Sequence, residues 1–191
     1  VIFRPIPDVT TRIAGLQNQE LDIIIGVPPS QVPIVEKKGR SFVSKVPGMH
    51  VAFVAFDNTK GGPVADKRVR KAIAHSIDID TIIKKVIYGY GIKLALPYPA
   101  KHFGYDPEVK PYPYDPSEGK RLLAEAGYPN GFDFILNSPS GRWGEDRETA
   151  EAVVGYLRKV GIKASVRFHE GGTFITKWFA HDMYPAYLAR F

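Results

Sequence analysis

Hydrophobic positions in the second half of the chain recur alternately at helical and at extended spacing. Helical spacing is typical of an amphipathic helix, and short alternating or β-branched runs are typical of strands. The pattern predicts helices at residues 115–126, 145–160 and 173–180, each followed by a strand, at residues 132–137, 164–168 and 184–191. This order predicts an α/β fold with a mixed or parallel sheet and flanking helices.

The first half of the chain combines one helical pattern with two extended ones. Asp8 stands where it can cap a helix whose apolar positions recur up to Leu16. Residues 21–27 form a β-branched run that predicts a buried strand. Residues 49–56 form a second extended segment. Helix followed by buried strand again favours an α/β fold.

Two further helices in series are predicted between residues 66 and 91, before a proline-rich loop. Ser76 and Asp78 stand where they can cap the second of these helices. Residues 95–114 contain five prolines among tyrosine and phenylalanine residues. Prolines this dense forbid a helix and interrupt strands, so this stretch is predicted to be an extended loop.

Composition excludes several classes of protein. The 191 residues are 44% hydrophobic, which is ordinary for a chain that folds around a core. No apolar run approaches the length of about 18 residues that a membrane-spanning helix needs. Cysteine is absent, which excludes disulfides and thiolate metal sites. The chain starts at Val1. We therefore expect either that a leader has been removed or that a larger protein precedes this residue.

The formal net charge of +6 raises the alternative of a basic α/β domain that binds nucleic acid or another polyanion. The densest basic stretch, residues 66–71, covers little more than one helical turn. A stretch this short is more typical of a solvated helix face than of a track for phosphates.

No catalytic or metal-binding pattern is present. The histidines have no i, i+4 partner of the kind found in helical zinc sites. His75 and Ser76 are adjacent on a predicted helix, where neighbouring side chains point about 100° apart, so they cannot form a nucleophile–base pair. We therefore predict no catalytic residue, no metal site and no cofactor, and the protein is not predicted to be an enzyme.

Seven short stretches occur in a recognisable order: LQNQELDI at residues 16–23, FDN at 56–58, VRKAIAHSID at 69–78, GYDP at 104–107, YDP at 114–116, LLAEAGYP at 122–129 and KVGI at 159–162. In this order and at this spacing they resemble the family 5 extracytoplasmic solute-binding proteins of ABC importers, which include dipeptide, oligopeptide and nickel binders. The resemblance covers nearly the whole chain.

The resemblance implies a fold and a division of the chain. The family's fold is a two-lobed clamp of the type II periplasmic-binding-protein class, which closes on its ligand about a hinge. Residues 1–57 correspond to part of lobe one and the strand that crosses the hinge, and residues 58–191 to the second lobe. The family's proteins are more than twice as long, so we expect this chain to lack most of lobe one and the C-terminal part of lobe two.

Two residues are candidates for ligand binding by this resemblance. Arg142 lies in the loop between a predicted strand and a predicted helix, where dipeptide-binding relatives carry an arginine that pairs with the ligand carboxylate. The alternative is a solvated loop arginine. Trp143 either stacks on a ligand side chain or packs the loop. The acidic residue that receives the peptide amine in those relatives would follow residue 191, so we expect one half of that site here.

The implied function is solute capture for an ABC importer, with a peptide or another small solute as ligand and a membrane permease as partner. The resemblance also implies a monomer, in a periplasmic or extracytoplasmic and membrane-associated location, that binds no nucleic acid. Binding of nucleic acid or another polyanion remains the alternative function.

Overall fold

The computed structural model describes residues 1–37, 39, 41–46, 48, 50–99 and 102–190. The chain divides into two compact units, Val1–Gly48 and Met49–Phe191. Four residues of the predicted segments lie outside the described residues: Met49 at the start of one strand, Ala100 and Lys101 in the proline-rich loop, and Phe191 at the end of another strand.

The first unit contains two helices. Helix α1 spans Val9–Gln17 and begins where predicted, with the Asp8 carboxylate accepting a hydrogen bond from the Thr11 amide at 2.7 Å. A 3₁₀ turn, Pro29–Gln31, leads into helix α2, Val32–Glu36.

The prediction of a buried strand at residues 21–27 is wrong. This segment is irregular, and the side chains of Ile23 and Ile25 are 83% and 81% exposed. Within the described part of the first unit no strand is available to pair with it. A β-branched run forms a buried strand only when neighbouring strands supply its hydrogen bonds and cover its faces.

The second unit alternates helices and strands. Its elements in chain order are β1 (Ala52–Phe56), the 3₁₀ turn Pro63–Ala65, α3 (Lys67–Ser76), α4 (Ile79–Lys85), α5 (Pro116–Glu125), β2 (Asp133–Ser140), α6 (Asp146–Lys159), β3 (Lys163–Glu170), α7 (Gly171–Phe179) and β4 (Ala186–Arg190). Every predicted helix and strand of this unit is present, with bounds shifted by a few residues. The described residues of the predicted loop 95–114 contain neither helix nor strand.

The four strands form one mixed sheet in the order β1-β4-β2-β3. Strand β2 runs parallel to β3 and to β4, whereas β1 runs antiparallel to β4. Helix α6 connects β2 to β3 and helix α7 connects β3 to β4, because parallel strands need a crossover between them. The α/β fold with a mixed sheet and flanking helices, predicted from the sequence, is therefore confirmed.

Helices cover both faces of this sheet. Phe134 and Leu136 of β2 point to one face and pack with Leu157 of α6 in the main core. Because side chains alternate along a strand, Asn137 points to the other face. Helix α7 covers that face: the ring of its buried Phe174 lies 6.5 Å from the ring of Tyr187 on β4. Both faces of β2 are thus buried over residues 136–139, whereas Asp133 at its start is exposed.

Acidic side chains cap the starts of α3, α4, α5 and α7 in this unit. Asp115 accepts hydrogen bonds from the amides of Ser117 and Glu118, both at 3.0 Å, with Pro116 at the first helical position. Asp78 caps α4 as predicted. Ser76, however, does not cap α4: it ends α3, and its buried hydroxyl donates to the carbonyl of Ala72 at 2.6 Å.

Replacing Asp78 by alanine is expected to destabilise the fold by about 1 kcal/mol at neutral pH, as loss of an N-cap does. The Thr81 hydroxyl and then its amide donate to this carboxylate and lower its pKa. The stabilisation is therefore complete above the pKa of an unfolded aspartate, about 3.9, and disappears as the pH falls through the lower folded pKa.

Urea denaturation of wild type and Asp78→Ala from pH 7 down to pH 2 tests this prediction. The difference between their free energies of unfolding should narrow at low pH. Asp80→Ala is the control, because Asp80 stands in the same turn, is 70% exposed and pairs with Lys93. Loss of such an exposed ion pair should cost less than about 1 kcal/mol. A difference for Asp78→Ala that stays constant with pH would contradict the capping account.

Candidate functional site

The loop of residues 141–145 joins the end of β2 at Ser140 to the start of α6 at Asp146. Because β2, β3 and β4 are parallel, their carboxyl ends meet at one edge of the sheet, and this loop lies there. Open α/β sheets place ligand sites in crevices at that edge. Both residues predicted from the sequence, Arg142 and Trp143, are in this loop.

The guanidinium of Arg142 faces solvent at this edge. The residue is exposed, and its guanidinium carbon lies 5.3 Å from the centroid of the Trp143 ring. No ion pair among the described residues includes Arg142. The backbone is close to the start of α7, because a Cβ built on Gly171 would lie 3.8 Å from the Arg142 Cβ. A charged fork with several N–H donors is therefore accessible to an anion.

Trp143 is partly buried and packs the loop against helix α7. Its ring meets the ring of Phe174 edge to face, with 6.3 Å between centroids, and Phe174 is only 1% exposed. The indole thus joins a buried residue of α7 to Arg142 on the surface. Packing of the loop is what the structure shows for Trp143; stacking on a ligand side chain stays a prediction.

Asp146 also belongs to this site, although no pattern in the sequence indicates a role for it. Its side chain is buried, at 5% exposure, and its two oxygens accept hydrogen bonds from the backbone amides of Gly141, Arg142 and Trp143 at 3.2, 2.9 and 3.2 Å. The sequence signal was an aspartate in the first turn of a predicted helix, a position that favours acids for many reasons. That position alone does not reveal three amides folding back on it.

Arg190 approaches the same loop from the end of β4. Its Nη2 donates to the carbonyl of Gly144 at 3.4 Å. Burial lowers the pKa of Arg190, and the nearby carboxylates of Glu145 and Asp146 partly oppose that shift. The guanidinium stays charged at neutral pH because the ordinary pKa of arginine lies far above neutral. The amides of the loop therefore donate to the carboxylate of Asp146, and a carbonyl of the loop accepts from the guanidinium of Arg190.

A polar cluster lies on the α7 face of the sheet. The amide nitrogen of buried Asn137 donates to the carbonyls of Met183 and Ala186, both at 3.1 Å, and its oxygen lies 2.9 Å from Nε2 of His169. Because an amide oxygen only accepts, Nε2 carries the proton. Burial lowers the pKa of His169. This cluster ties β2 to β3 and to the segment before β4, so we assign it a structural role.

The remaining charged groups give little support to other chemistries. Among the described residues, no group of three or more histidine or acidic side chains could hold a metal ion. In the basic stretch, Arg68 pairs with Asp66 at 2.6 Å, and Arg70 donates to the carbonyl of Val64 at 2.9 Å. Two of its cations are thus engaged by the protein itself. None of the helices in the described segments is long and apolar enough to cross a membrane.

Residues 1–189 match the family described as bacterial extracellular solute-binding proteins, family 5, in its middle region. The chain belongs to this family. It is 34% identical over 173 residues to the heme-binding protein A of Haemophilus influenzae and 28% identical over 185 residues to the dipeptide-binding protein of Escherichia coli, covering 86% and 93% of this chain. Nothing in these comparisons supports the nucleic-acid alternative.

Solved structures agree with this assignment. The structure of the periplasmic binding protein DppA of Helicobacter pylori, in complex with the peptide STSA, superposes with a TM-score of 0.85 at 30% identity over 98% of this chain. The dipeptide-binding protein of Pseudoalteromonas sp. SM9913, in complex with Met-Leu, gives a TM-score of 0.83 at 30% identity over 97% of this chain. The fold of this chain therefore corresponds to part of that of a type II periplasmic binding protein.

The chain spans about a third of the length of these relatives: 30% and 34% of the two relatives found by sequence, and 36% and 37% of the two solved structures.

Proposed function

We propose that the protein is the solute-binding component of an ABC importer that captures peptides or a similar small solute outside the cytoplasm. It would deliver the solute to a membrane permease as a monomer, without covalent chemistry. The observation that carries the proposal is the family match over residues 1–189. The structural likeness to two proteins in complex with peptides supports a peptide as ligand.

The proposed mechanism is closure of a two-lobed clamp around the ligand. Residues 1–57 would contribute part of the first lobe and the strand that crosses the hinge, and residues 58–191 would form the second lobe. A clamp of this kind releases water from the ligand as it closes, which strengthens charged hydrogen bonds within it. Membrane association would be through the permease or an anchor.

Within this mechanism, Arg142 would bind the carboxylate of the ligand. Its guanidinium is exposed at the carboxyl edge of the sheet and has no acidic partner among the described residues. Arginine suits this role because its planar fork offers two parallel N–H groups and remains charged when water is excluded. Trp143 would support it through the 5.3 Å contact with its ring and would add apolar surface for a ligand side chain.

Replacing Arg142 by alanine is expected to weaken binding of a peptide with a free carboxylate by about 1–3 kcal/mol, the cost of losing a hydrogen bond between charged groups. Isothermal titration calorimetry on the full-length protein, with Met-Leu and Ser-Thr-Ser-Ala as ligands, measures this loss. Arg121→Ala is the matched control: it removes the same charge from the exposed face of α5, where Arg121 pairs with Glu118 and Glu125.

This experiment can contradict either the role of Arg142 or the proposed function as a whole. Equal affinities of wild type and Arg142→Ala would remove Arg142 from the ligand site but leave solute capture intact. Absence of binding by the wild-type protein to peptides, to glutathione and to heme would contradict the proposed function itself. The latter two ligands are included because related proteins are named for them.

A further inference from the structure

We propose that Asp146 is a positioning residue that holds the backbone of residues 141–143 in the conformation from which Arg142 and Trp143 act. This inference rests on the proposed function, because it concerns how the same loop presents its ligand-binding groups. It assigns Asp146 no contact with the ligand. Three successive loop amides, those of Gly141, Arg142 and Trp143, donate to the buried carboxylate of Asp146. Among the described residues at this edge, no other loop has its amides on one buried carboxylate.

We call the Asp146 carboxylate, together with the three loop amides that donate to it, the clasp. Asp146 Oδ1 accepts from the Gly141 amide at 3.2 Å, and Oδ2 accepts from the amides of Arg142 and Trp143 at 2.9 and 3.2 Å. The side chain is 5% exposed. Water therefore has little access to these oxygens, and a hydrogen bond that accepts on a buried charge is stronger than one between neutral groups. Three successive amides are fixed by one side chain.

The backbone of this loop needs such support. Gly141 and Glu145 both have left-handed backbone conformations, with φ of 74° and 56°. A residue other than glycine adopts this conformation at a cost, and the surrounding structure has to stabilise it. Asp146 is also the first residue of α6, where an acidic side chain interacts favourably with the free amides of the first turn. One carboxylate thus accepts the amide hydrogens of the loop and stabilises the start of the helix.

A second contact restrains a carbonyl of the loop and comes from a cation. Arg190 donates to the carbonyl of Gly144 at 3.4 Å, and the carboxylates of Glu145 and Asp146 attract its guanidinium. With amides held by Asp146 and a carbonyl approached by Arg190, the main chain on both sides of Arg142 and Trp143 is restrained. The guanidinium of Arg142 itself remains exposed. The guanidinium that the proposed function requires for a ligand is therefore accessible, while the backbone that orients it is restrained.

Asparagine cannot replace aspartate in this clasp. Both oxygens of Asp146 accept amide hydrogens, so conversion of either one to NH₂ places a donor against a donor. Asp146→Asn is nearly isosteric and removes the charge, which makes it a sharp test of the hydrogen bonds rather than of packing. Glu148→Gln is the matched control, because Glu148 is an exposed acid in the first turn of the same helix.

The first measurement is amide hydrogen exchange followed by NMR on the full-length protein without ligand. We expect the amides of residues 141–143 to exchange at least about tenfold faster in Asp146→Asn than in wild type, and Glu148→Gln to leave them unchanged. Circular dichroism checks that each variant is folded. If Asp146→Asn is unfolded, Asp146→Ser, which keeps a single oxygen acceptor, takes its place. Unchanged exchange of these amides in a folded variant would overturn the inference.

The second measurement separates positioning from general stability. Calorimetry compares Met-Leu with its C-terminal amide, a ligand that lacks the carboxylate. Wild type should prefer the free carboxylate, and Asp146→Asn should reduce that preference by about threefold or more without abolishing binding of the amide. A ratio equal to that of wild type, with exchange accelerated, would mean that Asp146 only stabilises the loop and would overturn the positioning role.

The two proposals can fail separately. If Arg142→Ala abolishes the preference for the carboxylate and Asp146→Asn does not alter it, the proposed site stands and the positioning role falls. If wild type shows no preference for the carboxylate, the role of Arg142 falls and the positioning role falls with it. Hydrogen exchange then still decides whether Asp146 clasps the loop.

Discussion

Replacing Phe134 by alanine is expected to lower the free energy of unfolding by about 3–5 kcal/mol, the range for truncating a buried aromatic residue. Phe134 is 1% exposed on β2, a central strand of the sheet, and belongs to the main core. Its ring lies 6.3 Å from that of Phe132 at a steep angle. Truncation would leave a cavity between the sheet and the helices that its rigid neighbours fill only in part.

Chemical denaturation followed by circular dichroism measures this loss. Phe103→Ala is the matched control, because Phe103 is 99% exposed in the proline-rich loop and its truncation should change the stability by less than about 0.5 kcal/mol. Similar losses for the two variants would contradict the placement of Phe134 in the core. Because β2 leads directly into the loop of residues 141–145, the same cavity should also make the position of Arg142 less well defined.

Replacing Gly131 by alanine should destabilise the protein by about 3 kcal/mol or more, since overpacking and an unfavourable left-handed backbone conformation combine there. Gly131 has a φ of 71°, and a Cβ built on it would lie 1.9 Å from the carbonyl oxygen of Gly161. That oxygen belongs to the backbone between α6 and β3, so it cannot turn aside as a flexible side chain can. The turn before β2 and the turn before β3 must move apart.

The control for this prediction isolates the cost of the backbone conformation. Gly127 also has a positive φ, 89°, but a Cβ built there would meet no atom within 4 Å. Gly127→Ala should therefore cost only about 1–2 kcal/mol, the penalty for a left-handed residue. Thermal and chemical denaturation of both variants give the comparison. Gly131→Ala no less stable than Gly127→Ala would show that the two turns are not in contact.

The second unit follows its sequence closely because each of its signals is local. A helix with aspartate before proline, as at Asp115 and Pro116, satisfies its own first amides whatever lies around it. The inward positions of α6, such as Val153 and Leu157, recur at helical spacing and are all buried. Alternation of such helices with short apolar strands restricts the sheet to few arrangements.

The predictions that failed depended on partners far away in the chain or on competing hydrogen bonds. The apolar run of residues 21–27 has the composition of a strand, but composition says nothing about whether another strand is beside it. Ser76 is placed where it could cap α4. It instead donates to Ala72 within its own helix, next to Gly119 of α5, where a built Cβ would lie 2.4 Å from its oxygen.

The candidate site was found in part. The loop and its two candidate residues could be predicted, because the resemblance to a family and the position after a strand both depend on one stretch of sequence. The contacts that those residues make could not be predicted. Phe174, which supports Trp143, and Arg190, which contacts Gly144, are 31 and 46 residues away from their partners along the chain.

The sequence by itself determined the order of helices and strands in the second unit, the aspartate caps of α4 and α5, the buried faces of the helices and the family. Those properties arise from neighbours within a few residues, where periodicity and capping chemistry operate. Only the tertiary structure decided the strand order β1-β4-β2-β3 and the clasp of Asp146 on the amides of its loop. Both depend on how the chain folds back on itself, and periodicity reports only that a residue is buried, not which groups surround it.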